Sequence, residues 1–389
     1  MRTLALVLLG LLWASTGWAA TYYVATTGND GAAGTIGAPW RTIQKAANTV
    51  VAGDIVNIRG GIYSEYWSSN ANGTATNRIT FQSYPGETAI VSGSSITPGT
   101  QSFLVRVNGD YTTIKNLEII NAAWMSVICW NSATQCIIDG NVIHHGFHTG
   151  IVFYQNANNT AQNNHVYDMY DAPSGGNADC IDTSGDSGGP HSYINNVVHD
   201  CSDDGLDGWN STGNTYVGNI SYHNGYVPFT STPSGNGNGF KLGPQGGHTL
   251  IDNVAWANRY RGFDDNTGPN NRLYNNTAIN NLSVNYRFTA SGAILTNNIA
   301  YLGGSNSVSG AVQTTNSWNL GITNPLFVQI NDPTHSTFAR LQLSSPAIGV
   351  GTVVVGSTHA CMGTCDLGAY QSGTAETVPP APPTGLEVR

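Results

Sequence analysis

Five aspartates and one lysine are spaced so that they could share one piece of chemistry. They fall in three short segments, ADCIDTS, DDGLDGW and GNGFKLG, which align with HTGIVFY upstream and YRGFDDN downstream. In this alignment Gly150, Cys180, Gly205, Gly239 and Gly262 share one column, followed by apolar Ile151, Ile181, Leu206, Phe240 and Phe263. One residue further lie Val152, Asp182, Asp207, Lys241 and Asp264, with Arg287 of VNYRF as a sixth member. Immediately before the Gly column come Thr149, Asp179, Asp204, Asn238 and Arg261, and before those His148, Ala178, Asp203, Gly237 and Tyr260. Strand side chains alternate, so if the apolar column points inward the Asp182/Asp207/Lys241/Asp264 column points outward.

Stacked strands lie about 4.8 Å apart, which would crowd Asp179, Asp182, Asp203, Asp204 and Asp207 onto two adjacent rungs. At an effective dielectric near 20, two bare carboxylates at that spacing repel by about 3 kcal/mol. A divalent cation with oxygen ligands would neutralise them, and Ca2+ suits a flexible carboxylate cluster better than Mg2+. Asp-Asp-Gly alone is an ordinary turn signal. The corresponding positions of Asp179 and Asp207 favour the ion. Lys241, one rung beyond Asp207, is either a salt-bridge partner of Asp207 and Asp264 or a base. A nearby Ca2+ would offset the carboxylates that keep its amine protonated. A cation binding a sugar carboxylate and an amine removing the adjacent C5 proton are what β-elimination on a uronic acid requires.

Other residues admit two readings. His144, His145 and His148 could bind a transition metal, or simply occupy turns. Arg261 and Arg287 could grip substrate carboxylates, or stack against Asp264. Trp209 could line a sugar groove or pack on the next rung.

The elements that would position these groups are announced by a repeat. Asn116, Asn141, Asn164, Asn196, Asn219, Asn253, Asn276 and Asn298 recur in similar apolar settings at intervals of 25, 23, 32, 23, 34, 23 and 22. The two long intervals hold inserts, SGDSGGP and VPFTSTPSGNG, so one period near 23 remains. Short alternating strands at that period predict an all-β parallel solenoid; a propeller blade would need nearly twice the length, and a sandwich is the other alternative. Asn fits a repeated turn because it tolerates the left-handed conformation and its amides can bond along the stack. Ile43, Ala46, Ala47 and Val50 recur at helical spacing and predict a short helix capping the open N-terminal end.

Residues 1–19 read as an export signal: Arg2, an apolar run from Leu4 to Trp13, and small Gly17 and Ala19 before the cut. The run is too short to span a bilayer, so a secreted, soluble chain is expected, with the solenoid over 20–372 and a Pro-rich tail over 373–389. Export permits disulfides, and Cys129 with Cys136 and Cys180 with Cys201 are the expected pairs, with Cys361 and Cys365 a more strained third. Only 10% of the 389 residues are charged, 40% are hydrophobic, and 47 Gly and 42 Asn suit many tight turns rather than disorder. The net charge of −9 leaves no basic field for nucleic acid.

SDDGLDGW followed by GNGFKLG, an upstream NAD and the opening YYVATTGND with PWRTIQKAA and GDIVNIRGGIY together resemble the family 9 polysaccharide lyases. These are pectate lyases of right-handed parallel β-helix fold. The resemblance implies calcium ligands at Asp179, Asp203, Asp204 and Asp207, Lys241 as catalytic base, and polygalacturonate as substrate. Cys180 departs from the Gly expected after Asp179, and its bridge to Cys201 would brace two calcium-bearing coils. Arg261, Arg287 and Trp209 are the candidate substrate contacts, and a monomer is expected. The alternatives are a lyase on another uronate polymer such as alginate, a glycoside hydrolase using paired carboxylates, and a non-catalytic carbohydrate-binding adhesin.

Overall fold

The computed structural model describes residues 19–185, 188–354 and 365–372. The proposed export signal up to residue 18 and the tail from 373 lie outside the described residues. Three sheets, of twelve, nine and ten strands, run along the molecule, and each strand pairs in parallel with its counterpart one coil away. The first sheet runs from Thr21–Val24 to Ala311–Thr314, the second from Trp67–Ser69 to Val284–Arg287, and the third from Gly61–Tyr63 to Ile299–Tyr301. This is the parallel β-solenoid expected from the repeat, in the right-handed form that the resemblance implies. The only helix among the described residues, Ile43–Ala47, is capped by Thr42; Ile43, Ala46, Ala47 and Val50 enter the core at the N-terminal end.

The second sheet carries the register read from the sequence. Ile151, Ile181, Leu206, Phe240, Phe263 and Tyr286 pair in succession and face the core, where Phe240 stacks on Phe263 at 4.7 Å and Phe263 on Tyr286 at 5.1 Å. Beside them Val152, Asp182, Asp207, Lys241, Asp264 and Arg287 form the outward column.

The recurring asparagines form a continuous ladder. From Asn164 to Asn298 each amide oxygen accepts the backbone N–H and the side-chain amide of the Asn one coil earlier; Asn219, for example, gives Asn253 Oδ1 two bonds of 2.9 Å. The left-handed residue of the turn is not the ladder Asn but the one before it, such as Asn163, Asn195, Asp252 and Asn275 at φ 52° to 61°. Asn116 therefore falls in the left-handed column, and Leu117 takes the first ladder place, its N–H bonding Asn141 Oδ1 at 3.0 Å. A ladder amide must point into the stack to reach both neighbours, and the tight turn just before it turns the chain so that it can. A second ladder, Asn159, His191, Asn214, His248 and Asn271, follows the same rule with two imidazoles substituting for amides.

After the last coil, the chain folds back onto the outer face of the third sheet. Phe327, Phe338, Ala347 and Leu367 pack there on Ile220, Val254, Ile279 and Ile299 in a second apolar cluster. Cys180 and Cys201 form the expected disulfide. Cys129 and Cys136 do not: both are free thiols, wholly buried, with Cys129 hydrogen-bonded to Cys136. Enclosed in the core, they pack as small apolar side chains, a role that spacing alone does not separate from a bridge. Cys361 lies outside the described residues.

Candidate active site

The acidic groups converge on the outer face of the second sheet. Asp207 pairs with Asp182 on one side and with Lys241 on the other. Asp179 and Asp204 occupy the row just before, and Asp179 Oδ1 accepts the Asp204 N–H at 3.0 Å. One oxygen from each of Asp179, Asp204 and Asp207 lies within 4.8 Å of the others, the only such group of three among the described residues. The three are 6%, 0% and 6% exposed, so water can screen little of their charge.

Asp203, expected to join them, is not in that group. It is buried in the preceding row, and its Oδ1 accepts the N–H of Asn236, from the insert between coils. Its charge still acts on Asp179. Burial, then Asp203, Asp207, Asp182 and Asp204 in turn, raise the Asp179 pKa. Burial and Asp207 push Asp182 to about 8, and burial with Asp204 does the same to Asp203. Four carboxyls thus resist ionisation together, with Asp207 at about 6, where burial outweighs the pull of Lys241.

Lys241 supplies the opposing charge. Its Nζ lies 2.7 Å from Asp207 Oδ2 and 3.0 Å from Asp204 Oδ2, the second contact an ion pair not aligned as a hydrogen bond. Burial works against the ammonium, yet Asp204, Asp207 and Asp179 raise its pKa well above the ordinary lysine value. One amine cannot satisfy the cluster. Asp207 Oδ1, Asp182 Oδ1 and Asn238 Oδ1 are buried without a hydrogen-bond partner. Unpaired buried oxygens are costly, and a set of carboxylates with a neutral amide oxygen alongside is the donor chemistry that a hard cation takes. The residues present fit Ca2+.

The expected substrate contacts divide. Trp209 is 45% exposed, with the Lys241 ammonium 5.4 Å from its ring centre, so it borders the site. Arg261 and Arg287 both pair with Asp264, and Arg287 also pairs with Asp265 at 3.0 Å. Their charge is largely spent within the protein. His144 and His145 meet through their Nδ1 atoms and pair on their other sides with Glu118 at 3.3 Å and Asp168 at 3.1 Å, while His148 bonds Thr149 at 3.0 Å. The alignment passed over Asn238, whose N–H and side-chain amide hold Asp204 Oδ1 at 2.6 and 2.8 Å. Its place in the Asp179/Asp204 column was the available signal. It also passed over Arg259, for which residue type was the only signal.

The site thus sets a buried carboxylate group beside a single amine on the outer face of a β-helix. Residues 22–306 match the family described as "Pel9A-like, right handed beta helix region". Pectate lyase PEL9 of Emericella nidulans is 30% identical over 334 residues, 72% of this chain and 78% of that protein. Pectate lyase L of Dickeya dadantii is 27% identical over 387 residues, 90% of each. The crystal structure of pectate lyase Pel9A superposes with a TM-score of 0.80 at 25% identity, covering 90% of this chain and 96% of that one. The protein is a polysaccharide lyase. It belongs to the Pel9A-like right-handed β-helix family, which sets aside the hydrolase and adhesin readings.

Proposed function

We propose that the protein is a secreted, calcium-dependent lyase that cleaves polygalacturonate by β-elimination, with Lys241 as the base. The observation that carries this is the contact of the Lys241 amine with two aspartates of a buried carboxylate group in which Asp207 Oδ1, with Asp182 Oδ1 and Asn238 Oδ1 beside it, lacks a partner. Asp179, Asp204 and Asp207 would hold the ion, with Asp203 reaching it from the preceding row. Calcium there would bind the uronate carboxylate, acidify the C5 proton, and draw off the negative field that keeps Lys241 protonated.

The protein's own part is to hold an amine at the proton to be removed. Lys241 takes the C5 proton, and the C5–H electron pair becomes a double bond between C4 and C5. The C4–O bond breaks, its pair leaves with the glycosidic oxygen, and that oxygen is protonated to an alcohol. Asp207 and Asp204 orient the amine before reaction, and Trp209 borders the groove. No helix of the described residues is long and apolar enough to cross a membrane. The N-terminal apolar run supports export.

The test is incubation of purified protein with polygalacturonate, with and without a calcium chelator, followed by ultraviolet absorbance of the unsaturated sugar end. Absorbance should rise with calcium and stop on chelation. Cleavage without that absorbance would mean hydrolysis, and alginate cleavage in place of pectate would reassign the polymer.

A further inference from the structure

The turns that lead from the third sheet into the second hold another feature beside the Lys241 rung. An open cavity of about 590 Å³ is bordered by Gly235, Asn236, Arg259, Tyr260, Leu282 and Ser283. The Tyr260 N–H bonds Gly237 O at 2.8 Å and the Ser283 N–H bonds Tyr260 O at 2.8 Å, so the cavity spans successive coils past the one carrying Lys241. The four steps of chain from Gly237 to Lys241 span at most about 13 Å. A polysaccharide crossing the sheet obliquely from Lys241 reaches the cavity.

Of the three arginines near this face, Arg261 and Arg287 are neutralised by Asp264 and Asp265, while Arg259 has no carboxylate within ion-pair distance among the described residues. Its Nη1 donates to the carbonyls of Ser234, Gly235 and Asn236 at 3.3, 2.9 and 3.4 Å. Carbonyl dipoles fix the guanidinium without cancelling its charge. In a protein of net charge −9, this leaves a full positive charge, already oriented, in the cavity wall. Tyr260 and Leu282, 38% and 69% exposed, add apolar surface beside it. A guanidinium fork matches a carboxylate, and apolar side chains suit the C–H face of a sugar ring.

We infer that this cavity is a subsite for a uronate residue of the polymer, with Arg259 recognising its carboxylate. The assignment rests on the polyuronate reading above. Arg259 also fastens the stretch whose Asn236 N–H holds Asp203, so the experiment must separate recognition from support.

Binding of a galacturonate oligomer and of its methyl ester is measured by calorimetry at saturating calcium, in a Lys241→Ala background that prevents turnover. Arg259→Met should lower affinity for the acid oligomer by about ten- to hundredfold, the range of one charge-assisted pair, and leave the methyl ester unchanged. Tyr260→Ala, which leaves the Arg259 carbonyl contacts in place, should weaken both ligands. Calcium affinity is titrated in the same variants. An unchanged acid affinity, an equal loss for both oligomers, or a matching fall in calcium affinity would each overturn the subsite. If the parent binds neither oligomer, the polyuronate reading falls, and the subsite with it.

Discussion

Replacing Lys241 with Ala should have two separable effects, one on chemistry and one on stability. Its ammonium is 13% exposed and lies 2.7 and 3.0 Å from oxygens of Asp207 and Asp204, themselves 6% and 0% exposed. Removing one side of a buried ion pair costs about 3–5 kcal/mol, because the charges left behind have lost their partner. Without calcium the variant should be destabilised by about that amount near pH 8. The penalty should shrink as pH falls, because Asp207, at about 6 in the parent and higher once the pull of Lys241 is gone, takes up a proton instead. With calcium the ion supplies the missing charge, and the difference should fall below about 1 kcal/mol. The variant should also bind calcium more tightly than the parent, since the ammonium no longer competes for the same oxygens. Denaturant unfolding in chelator and in calcium gives the energies, calorimetry the calcium affinity, and ultraviolet absorbance the elimination. Equal stability of parent and variant in chelator would refute the electrostatic argument, and retained elimination would refute the role of base.

Cleavage by the calcium-loaded enzyme should rise toward alkaline pH, because a lysine is ordinarily protonated at neutral pH and only the free amine accepts a proton; a rate profile peaking in acid would contradict this. Asn253→Ala should cost about 2 kcal/mol in denaturant unfolding, since it strands the buried backbone N–H of Asn219 and one of its two side-chain amide hydrogens, the other staying on Tyr193 O. His191 and His248 are depressed to about 3 and about 4 by burial. Each is neutral when folded and chargeable when unfolded, so stability should fall as pH drops below about 6.5 and keep falling toward those values. Replacing both with Asn should flatten the acid limb of the stability curve, and an unaltered limb would count against the assignment.

Much of the site was legible because a solenoid converts sequence spacing into spatial register. Once the apolar column from Ile151 to Phe263 was aligned, the neighbours of Asp182, Asp207, Lys241 and Asp264 followed, and the strands pair in that order. Spacing does not rank how far a side chain reaches or what else competes for it. Asp203 is diverted to a loop N–H, while Arg261 and Arg287 are claimed by Asp264. The asparagines named from the sequence, Asn116 aside, are the ladder, but the left-handed role falls one residue earlier, because both the left-handed turn and the stacked amide favour Asn and runs such as Asn163–Asn164 supply both. Cys129 and Cys136 show the same limit: their nearness was readable, but not their state.

The groups assigned to catalysis lie between Asp179 and Lys241, on consecutive turns of the rod, and each turn rests only on the ones beside it. Chemistry and length are therefore separate properties of this molecule. Whole repeats could be spliced in or removed far from that stretch, lengthening or shortening the track along which a polymer lies, while the reacting centre stays as it is. An excision of one repeat within the stretch would instead bring together partners that never meet in the native rod.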